Sequence, residues 1–352
     1  MLVLMDVKDF HLINEFWGYQ MGNEILQFIW KRLELFPKVV FTSRFHSDVF
    51  VAVVDVTGEA LDSCLKMVAK NNQILANEVQ GKYPVEYFSM NTGVYYDLNR
   101  EEDTEKIISH TNTARRKARE QVDGICAYTE ELAHAELLRA DVLHSFQSAL
   151  EKEEFVLYFQ PKISGMDESI TSAEVLVRWQ RSDGAILGPN KFISVLEECG
   201  KVEALDFYVY EKAFQWMVSQ RECRTQPVTL SLNISPFHFR DIEGFTKKLL
   251  EIINKYEIDT RYLIFEITES AYIRNRDAVN GMISILHAYH IRISMDDFGS
   301  GYSSLNTLKD IAFDEVKIDK SFLDGSLTEK GRIVLQEIFH LLKRTGKSIV
   351  CE

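Results

Sequence analysis

The sequence predicts an α/β chain in two parts, an α+β region of modest size followed by a β/α (TIM-like) barrel. Three observations predict it. Short runs rich in Val, Ile, Leu and Phe recur through the second half, separated by helical stretches, as buried parallel strands do. Six of those runs carry a carboxylate, an amide or a lysine at or near their ends. The 352 residues are enough for two domains, each with its own core.

In the first region, residues 1–130, the strand-like runs MLVLMDV, VVFTSRF, DVFVAVVDV and EYFSMNTGVYY alternate with helices around NEILQFIWKRLELF and DSCLKMVAKNNQILANEVQ. The polar helical stretch TEELAHAELLRADVLHSFQSALEKEE follows, with residues 131–145 read as a linker. From 146 to 352, strands are expected near 155–163, 172–179, 228–234, 262–267, 291–297, 314–318 and 347–352. Helices such as FTKKLLEIINKYE and EKGRIVLQEIFHLLKRTG lie between them. A closed barrel needs eight strands where these runs supply seven. The expectation is therefore a fragment: the first region begins nearly at its first strand, and the 347–352 strand is left as a free edge. Glu352, at the end of that strand, would be poorly fixed, and this stretch alone weakly active or inactive.

Strand ends of a β/α barrel converge on one face. TSAEVLVRW brings Glu174 there, TLSLNIS brings Asn233, and YLIFEITES brings Glu266 with Glu269 behind it. RISMDDFGSGYSSL adds Asp296 and Asp297, DEVKIDKSF adds Lys317 and Asp319, and KSIVCE adds Glu352. Each has a plain alternative. Glu174 alone reads as a paired core carboxylate, Asn233 as a cap on the turn before Pro236, and Lys317 with Asp319 as an ion pair. Together they describe one polar pocket, because burying so many like charges without a cation would cost several kcal/mol. Oxygen donors of this kind suit Mg²⁺ or Mn²⁺, and the lack of His or Cys at these strand ends disfavours zinc. Two such cations about 3.5–4 Å apart can activate water and neutralise a phosphoryl group. A metal-dependent hydrolase is the leading reading.

Composition narrows the partners. The 40 basic and 53 acidic residues leave a net charge of −13, which argues against a general DNA- or RNA-binding surface or a polybasic membrane surface. Five scattered cysteines with no CxxC pair read as reduced thiols of a cytoplasmic protein. No apolar stretch approaches the ~20 residues of a spanning helix. His134, His144, His238, His287 and His290 have no ligand-like spacing and are expected at the surface or as caps. Phe207-Tyr208-Val209-Tyr210 is expected to pack a helix.

From about Phe155 onward the chain resembles the EAL family, phosphodiesterases that linearise bacterial cyclic di-GMP. Glu174-Val175-Leu176 stands at the name motif, and Asp296-Asp297-Phe298-Gly299-Ser300-Gly301-Tyr302-Ser303-Ser304-Leu305 matches the family's most specific stretch. The resemblance implies that Glu174, Asn233, Glu266 and Asp296 hold a first Mg²⁺ or Mn²⁺ and that Asp297 reaches a second. It implies that Lys317 holds the attacking water, that Glu352 is a general base or water ligand, and that Glu269 steadies the loop containing Asp297 and Gly299. Gln160, Leu176, Arg178 and Asp319 are implied at the substrate, and residues 302–308 as a homodimer surface.

The first region resembles a GGDEF domain, the fold that makes cyclic di-GMP from GTP. Asp6 stands at a metal-binding position and Asn14 at a guanine-reading one, while Asn23 stands where an Asp would contact guanine. At the signature, Arg44-Phe45-His46-Ser47-Asp48-Val49-Phe50, both glycines are replaced, by His46 and Ser47. A turn that lets backbone N–H groups approach a triphosphate wants residues without Cβ. The expectation is a degenerate, non-catalytic module in which Asp6 and Asp48 are at most a residual metal pair and GTP at most a regulator. For the whole chain, hydrolysis of cyclic di-GMP to pGpG competes with a receptor role that holds the nucleotide without cleaving it. An unrelated barrel lyase would not carry the DDFGSGYSSL stretch.

Overall fold

The N-terminal apolar run forms β1 (Leu2–Val7), buried along its whole length in a computed structural model that describes residues 1–96, 103–221, 227–299, 312–320 and 328–351. The chain divides into two units, Met1–Leu138 and Arg139–Glu352. In the first, β1 is followed by α1 (Phe10–Leu33), β2 (Val39–His46), β3 (Val49–Val54), α2 (Leu61–Lys82), β4 (Met90–Tyr95), α3 (Thr104–Ala118) and β5 (Ile125–Ala127). The sheet runs β2-β3-β1-β4-β5, with β1 antiparallel to β3 and β4, and β5 parallel to β4. Val3, Met5, Ile25, Ile29, Leu75 and Val79 belong to one buried core between sheet and helices.

Two features here differ from the sequence reading. α1 starts at Phe10, well before Asn23, and runs through a kink at Gly18 (φ 80°, ψ 159°) that glycine accepts at little cost. α3 and β5 were not expected at all. The buried face of α3 is Ile107, Thr111, Ala114, Arg115 and Ala118, too polar and small to read as an apolar stripe. Small residues are needed because α3 presses on β4: a Cβ on Gly93 would lie 2.2 Å from the Arg115 backbone nitrogen.

Helix α4 (Glu130–Glu151), which covers the stretch read as a linker and contains the boundary at Arg139, leads into β6 (Phe155–Ile163), β7 (Ile170–Gln180) and the short β8 (Ile186–Leu187) of the second unit. Then come α5 (Ile193–Glu198), α6 (Val202–Gln220), β9 (Thr229–Asn233), α7 (Ile242–Lys255) and β10 (Leu263–Thr268). α8 (Glu269–Arg274), α9 (Arg276–Ala288), β11 (Arg292–Phe298), β12 (Glu315–Ile318), α10 (Glu329–Arg344) and β13 (Ser348–Cys351) complete it. The curled sheet runs β13-β12-β11-β10-β9-β7-β6, with β8 paired to β7. This is the expected β/α order of a TIM-like barrel, and among the described residues β13 and β6 are not paired. The pairs β7-β9, β9-β10, β10-β11, β11-β12 and β12-β13 are parallel, while β8 runs antiparallel to β7. β6 likewise pairs antiparallel with β7, because the link 164–169 is too short for a helical crossover.

Phe207 and Tyr210 of α6 are buried packing residues, as the sequence suggested. His238 departs from expectation. It is 4% exposed, its ring lies 4.3 Å from that of Phe245, and Nε2 is 2.8 Å from Asp206 Oδ2. It sits in the tight turn Pro236–Arg240, whose short path after β9 folds the ring inward. No helix of the described residues is long and apolar enough to cross a membrane.

Candidate active site

Strand alternation decides which side chains meet. On β7, Val175, Val177 and Trp179 are buried on one face, leaving Ser172, Glu174, Leu176 and Arg178 on the other. Register carries that second face around the sheet. Glu174 is level with Ser231, Asn233 with Glu266, Glu266 with Ser294, Thr268 with Asp296, and Ser294 with Glu315. Between Met295 and Phe298 the β11–β12 register slips. There Asp297 adopts φ 55°, a left-handed conformation that costs a residue with Cβ roughly 1–2 kcal/mol.

At the centre of this face Lys317 is buried to 2% exposure. Its Nζ lies 2.8 Å from Glu174 Oε2, 2.9 Å from Glu266 Oε2 and 2.9 Å from Asp296 Oδ1. The three carboxylates each offer one oxygen within 4.8 Å of the others. Asn233 Nδ2 donates to Glu174 Oε1 at 3.3 Å, and the Asp297 backbone N–H donates to Asp296 Oδ1 at 2.9 Å. Buried Glu269 accepts from the Gly299 N–H at 2.9 Å through Oε2, tying the start of α8 to the turn after β11.

A second layer lies beneath. Lys162 Nζ of β6 donates to Ser231 Oγ at 2.8 Å, Glu266 Oε1 at 2.9 Å and Glu315 Oε1 at 3.0 Å. Sequence reasoning missed Lys162, Ser231 and Glu315. The available signal was period two: Lys162 follows Gln160 by two positions, and Glu315 precedes Lys317 by two.

The electrostatics follow from burial and these contacts. Burial raises Glu174, and neighbouring Glu266 adds to it. Burial lifts Asp296 to about 6 against the pull of Lys317. Burial also pushes Glu266 upward, but Lys317 and Lys162 outweigh it and hold its carboxyl below the usual range. Desolvation disfavours both ammoniums, yet Glu266, Asp296 and Glu174 keep Lys317 well above its ordinary value, and Glu266 and Glu315 do the same for Lys162.

The donor set fits a hard divalent cation. Among the described residues, Glu174, Glu266, Asp296 and Glu315 are ion-paired with two ammoniums, those of Lys162 and Lys317, so four carboxylates share two positive charges in a buried place. Lys317 already marks a point where three carboxylate oxygens favour positive charge. Oxygen-only ligands of this kind match Mg²⁺ or Mn²⁺.

The remaining candidates lie around this cluster. Gln160 is opposite Glu174, and Leu176 is opposite Tyr158, on the cluster's face. Arg178, farther along the same face, places its guanidinium carbon 5.6 Å from the Tyr158 ring centroid and donates through Nη1 to Val177 O at 2.9 Å. Asp319 follows β12, its N–H donating to Phe298 O at 3.3 Å. Glu352 and the proposed dimer segment 302–308 lie outside the described residues.

In the first unit the GGDEF-type metal position is filled differently. Asp6 is 2% exposed, with Arg115 Nη1 2.8 Å from Oδ1 and Arg119 Nη2 2.7 Å from Oδ2. Each carboxylate oxygen thus lies within ion-pair distance of a guanidinium group, and only Oδ2 accepts a hydrogen bond from one among the described residues. At the signature turn Ser47 adopts φ 47°, the region a glycine would have entered without strain.

Residues 143–352 match the EAL domain family, and residues 1–124 match the diguanylate cyclase GGDEF domain family. A cyclic di-GMP phosphodiesterase of Pseudomonas aeruginosa is 30% identical over 67% of this chain and 40% of its own length. The solved MucR phosphodiesterase, in complex with c-di-GMP, is 27% identical with TM-score 0.56 over 60% of this chain and 85% of that one. The GGDEF-EAL fragment of Vibrio cholerae LapD covers 100% of this chain and 83% of its own at 18% identity and TM-score 0.59, a likeness of fold. The chain spans about half the length of the curated relatives it matches.

Proposed function

The chain belongs to the EAL domain family, with a GGDEF domain before it, and on that premise we propose that it hydrolyses cyclic di-GMP to linear pGpG with Mg²⁺ or Mn²⁺. The observation that carries this reading is the gathering of Glu174, Glu266 and Asp296, from three parallel strands, around one buried lysine. Glu174, Asn233, Glu266 and Asp296 would hold the first cation and Asp297 a second. Bound cations lower the pKa of water and neutralise charge on the phosphodiester.

The chain's own residues do the rest. Lys317, fixed by three carboxylates, presents a positive charge to the attacking water and the phosphoryl oxygens. Glu352 accepts the proton of that water. Glu269 holds the Gly299 amide, which keeps the turn after Asp297 in place. Gln160, Leu176, Arg178 and Asp319 position the two guanylates, with the Arg178 guanidinium matched to a phosphate.

The GGDEF domain makes no cyclic di-GMP in this reading, because Asp6 is held by Arg115 and Arg119 and the signature turn carries His46 and Ser47. GTP bound through Asn14 would regulate, segment 302–308 would form a homodimer surface, and the protein would act in the cytoplasm. Incubating the intact protein with cyclic di-GMP and Mg²⁺ or Mn²⁺ tests the central step. Release of pGpG supports the enzyme, whereas tight binding of uncleaved cyclic di-GMP supports a receptor.

A further inference from the structure

Both carboxylate oxygens of Glu266, a ligand candidate, are engaged by lysines. Lys317 takes Oε2 at 2.9 Å from above, and Lys162 takes Oε1 at 2.9 Å from below. Lys162 is itself held by Ser231 Oγ at 2.8 Å and Glu315 Oε1 at 3.0 Å, so its ammonium has three fixed acceptors and little freedom to withdraw. Glu266, buried on β10, has its carboxylate held from both ends by these two ammoniums. A cation approaching from the Lys317 side meets Oε2 alone.

We infer that Lys162 is a metal-selectivity residue: by holding Glu266 Oε1 it restricts Glu266 to one-oxygen coordination and so biases the site toward small octahedral cations and against Ca²⁺. The chemistry is general. Ca²⁺ takes 6–8 oxygens at 2.3–2.6 Å and gains from two-oxygen chelation by a carboxylate, whereas Mg²⁺ demands near-ideal octahedral geometry at 2.0–2.1 Å. Partners that orient a ligand from behind tune a site strongly; their loss typically changes metal affinity about 10–100-fold. Glu315 serves as the counter-charge that keeps the ammonium beneath Glu266 rather than in the pocket. This inference rests on the divalent-cation reading of the site proposed above.

The test measures metal binding directly, without turnover. Mn²⁺ binding to the intact protein is followed by electron paramagnetic resonance, with Mg²⁺ and Ca²⁺ titrated as competitors. In the wild-type protein Mg²⁺ should displace Mn²⁺ at lower concentration than Ca²⁺ does. In Lys162→Met the ratio of Ca²⁺ to Mg²⁺ affinity should rise by about tenfold or more, while Lys162→Arg, which keeps a cation on Oε1, should hold the wild-type ratio. A role limited to charge or folding would change both affinities together and leave the ratio fixed, and that result overturns the inference. Failure of the wild-type protein to bind Mn²⁺ at all would instead overturn the cation reading beneath it. If Lys162→Met does not fold, the pair Lys162→Met with Glu315→Gln removes the stranded charge and makes the same comparison.

Discussion

Replacing Lys317 by Met removes the ammonium that touches Glu174, Glu266 and Asp296 and leaves a side chain of similar length in its place. The three carboxylates then face one another within 4.8 Å at a position where Lys317 was 2% exposed. Breaking a buried ion pair by removing one partner costs about 3–5 kcal/mol. For a unit of 150–250 residues each kcal/mol lowers the melting temperature by about 2–4 °C, so a fall of roughly 6–20 °C is expected in the Arg139–Glu352 unit. The assay is calorimetry with chelator at pH 8, where Asp296 is ionised in the wild-type protein, its carboxyl lying at about 6 beside Lys317. Mg²⁺ at 100 times the variant's Kd should then raise the variant's stability by about 2.7 kcal/mol over its chelated form. Turnover of the variant should stay about 10²–10⁴-fold down even with metal bound, because the group acting on the water is gone. A variant that melts within about 2 °C of wild type under chelation would refute the reasoning.

Metal affinity should depend on pH through Asp296. Its carboxyl is raised to about 6, so it is anionic and able to ligate above that pH and takes up a proton below it; apparent Mg²⁺ affinity should therefore weaken as pH falls through 6, by up to about tenfold per unit, and calorimetric titrations from pH 5 to 8 check this. Glu269→Ala removes the acceptor of the Gly299 N–H and should lower kcat by about tenfold, with a stability loss of about 1–3 kcal/mol; steady-state kinetics showing unchanged kcat would count against a positioning role. Purified protein supplied with GTP and Mg²⁺ should yield no cyclic di-GMP by chromatography, and Mn²⁺ should not broaden resonances of the Asp6 region.

Much of this was legible in the sequence because barrel strands end in chemistry. Apolar runs carry Glu174, Asn233, Glu266, Asp296 and Lys317 near their ends, at positions staggered by up to four residues in register, and the structure brings all five together. Lys162 and Glu315 were not legible because a single charged residue in a strand carries no partner in its own neighbourhood; their meeting depends on strands 153 positions apart in the chain. The reversed direction of β6 leaves no trace in an apolar pattern, although the short 164–169 connection hinted at it. α3 escaped because close packing at Gly93 selected Thr111, Ala114 and Ala118 over the large apolar residues that mark a helix. The same helix supplies Arg115 and Arg119, so the ion pairs at Asp6 escaped with it.

The central claim is that the carboxylates around Lys317 hold cations that drive hydrolysis. The most direct measurement strips the intact protein of metal with chelator, supplies cyclic di-GMP, and follows pGpG as Mn²⁺ is returned in steps. The account predicts no pGpG after stripping, recovery of turnover as Mn²⁺ is added, and no recovery in Glu174→Ala. Turnover that persists in the stripped protein, or that survives in Glu174→Ala with Mn²⁺ present, would contradict it.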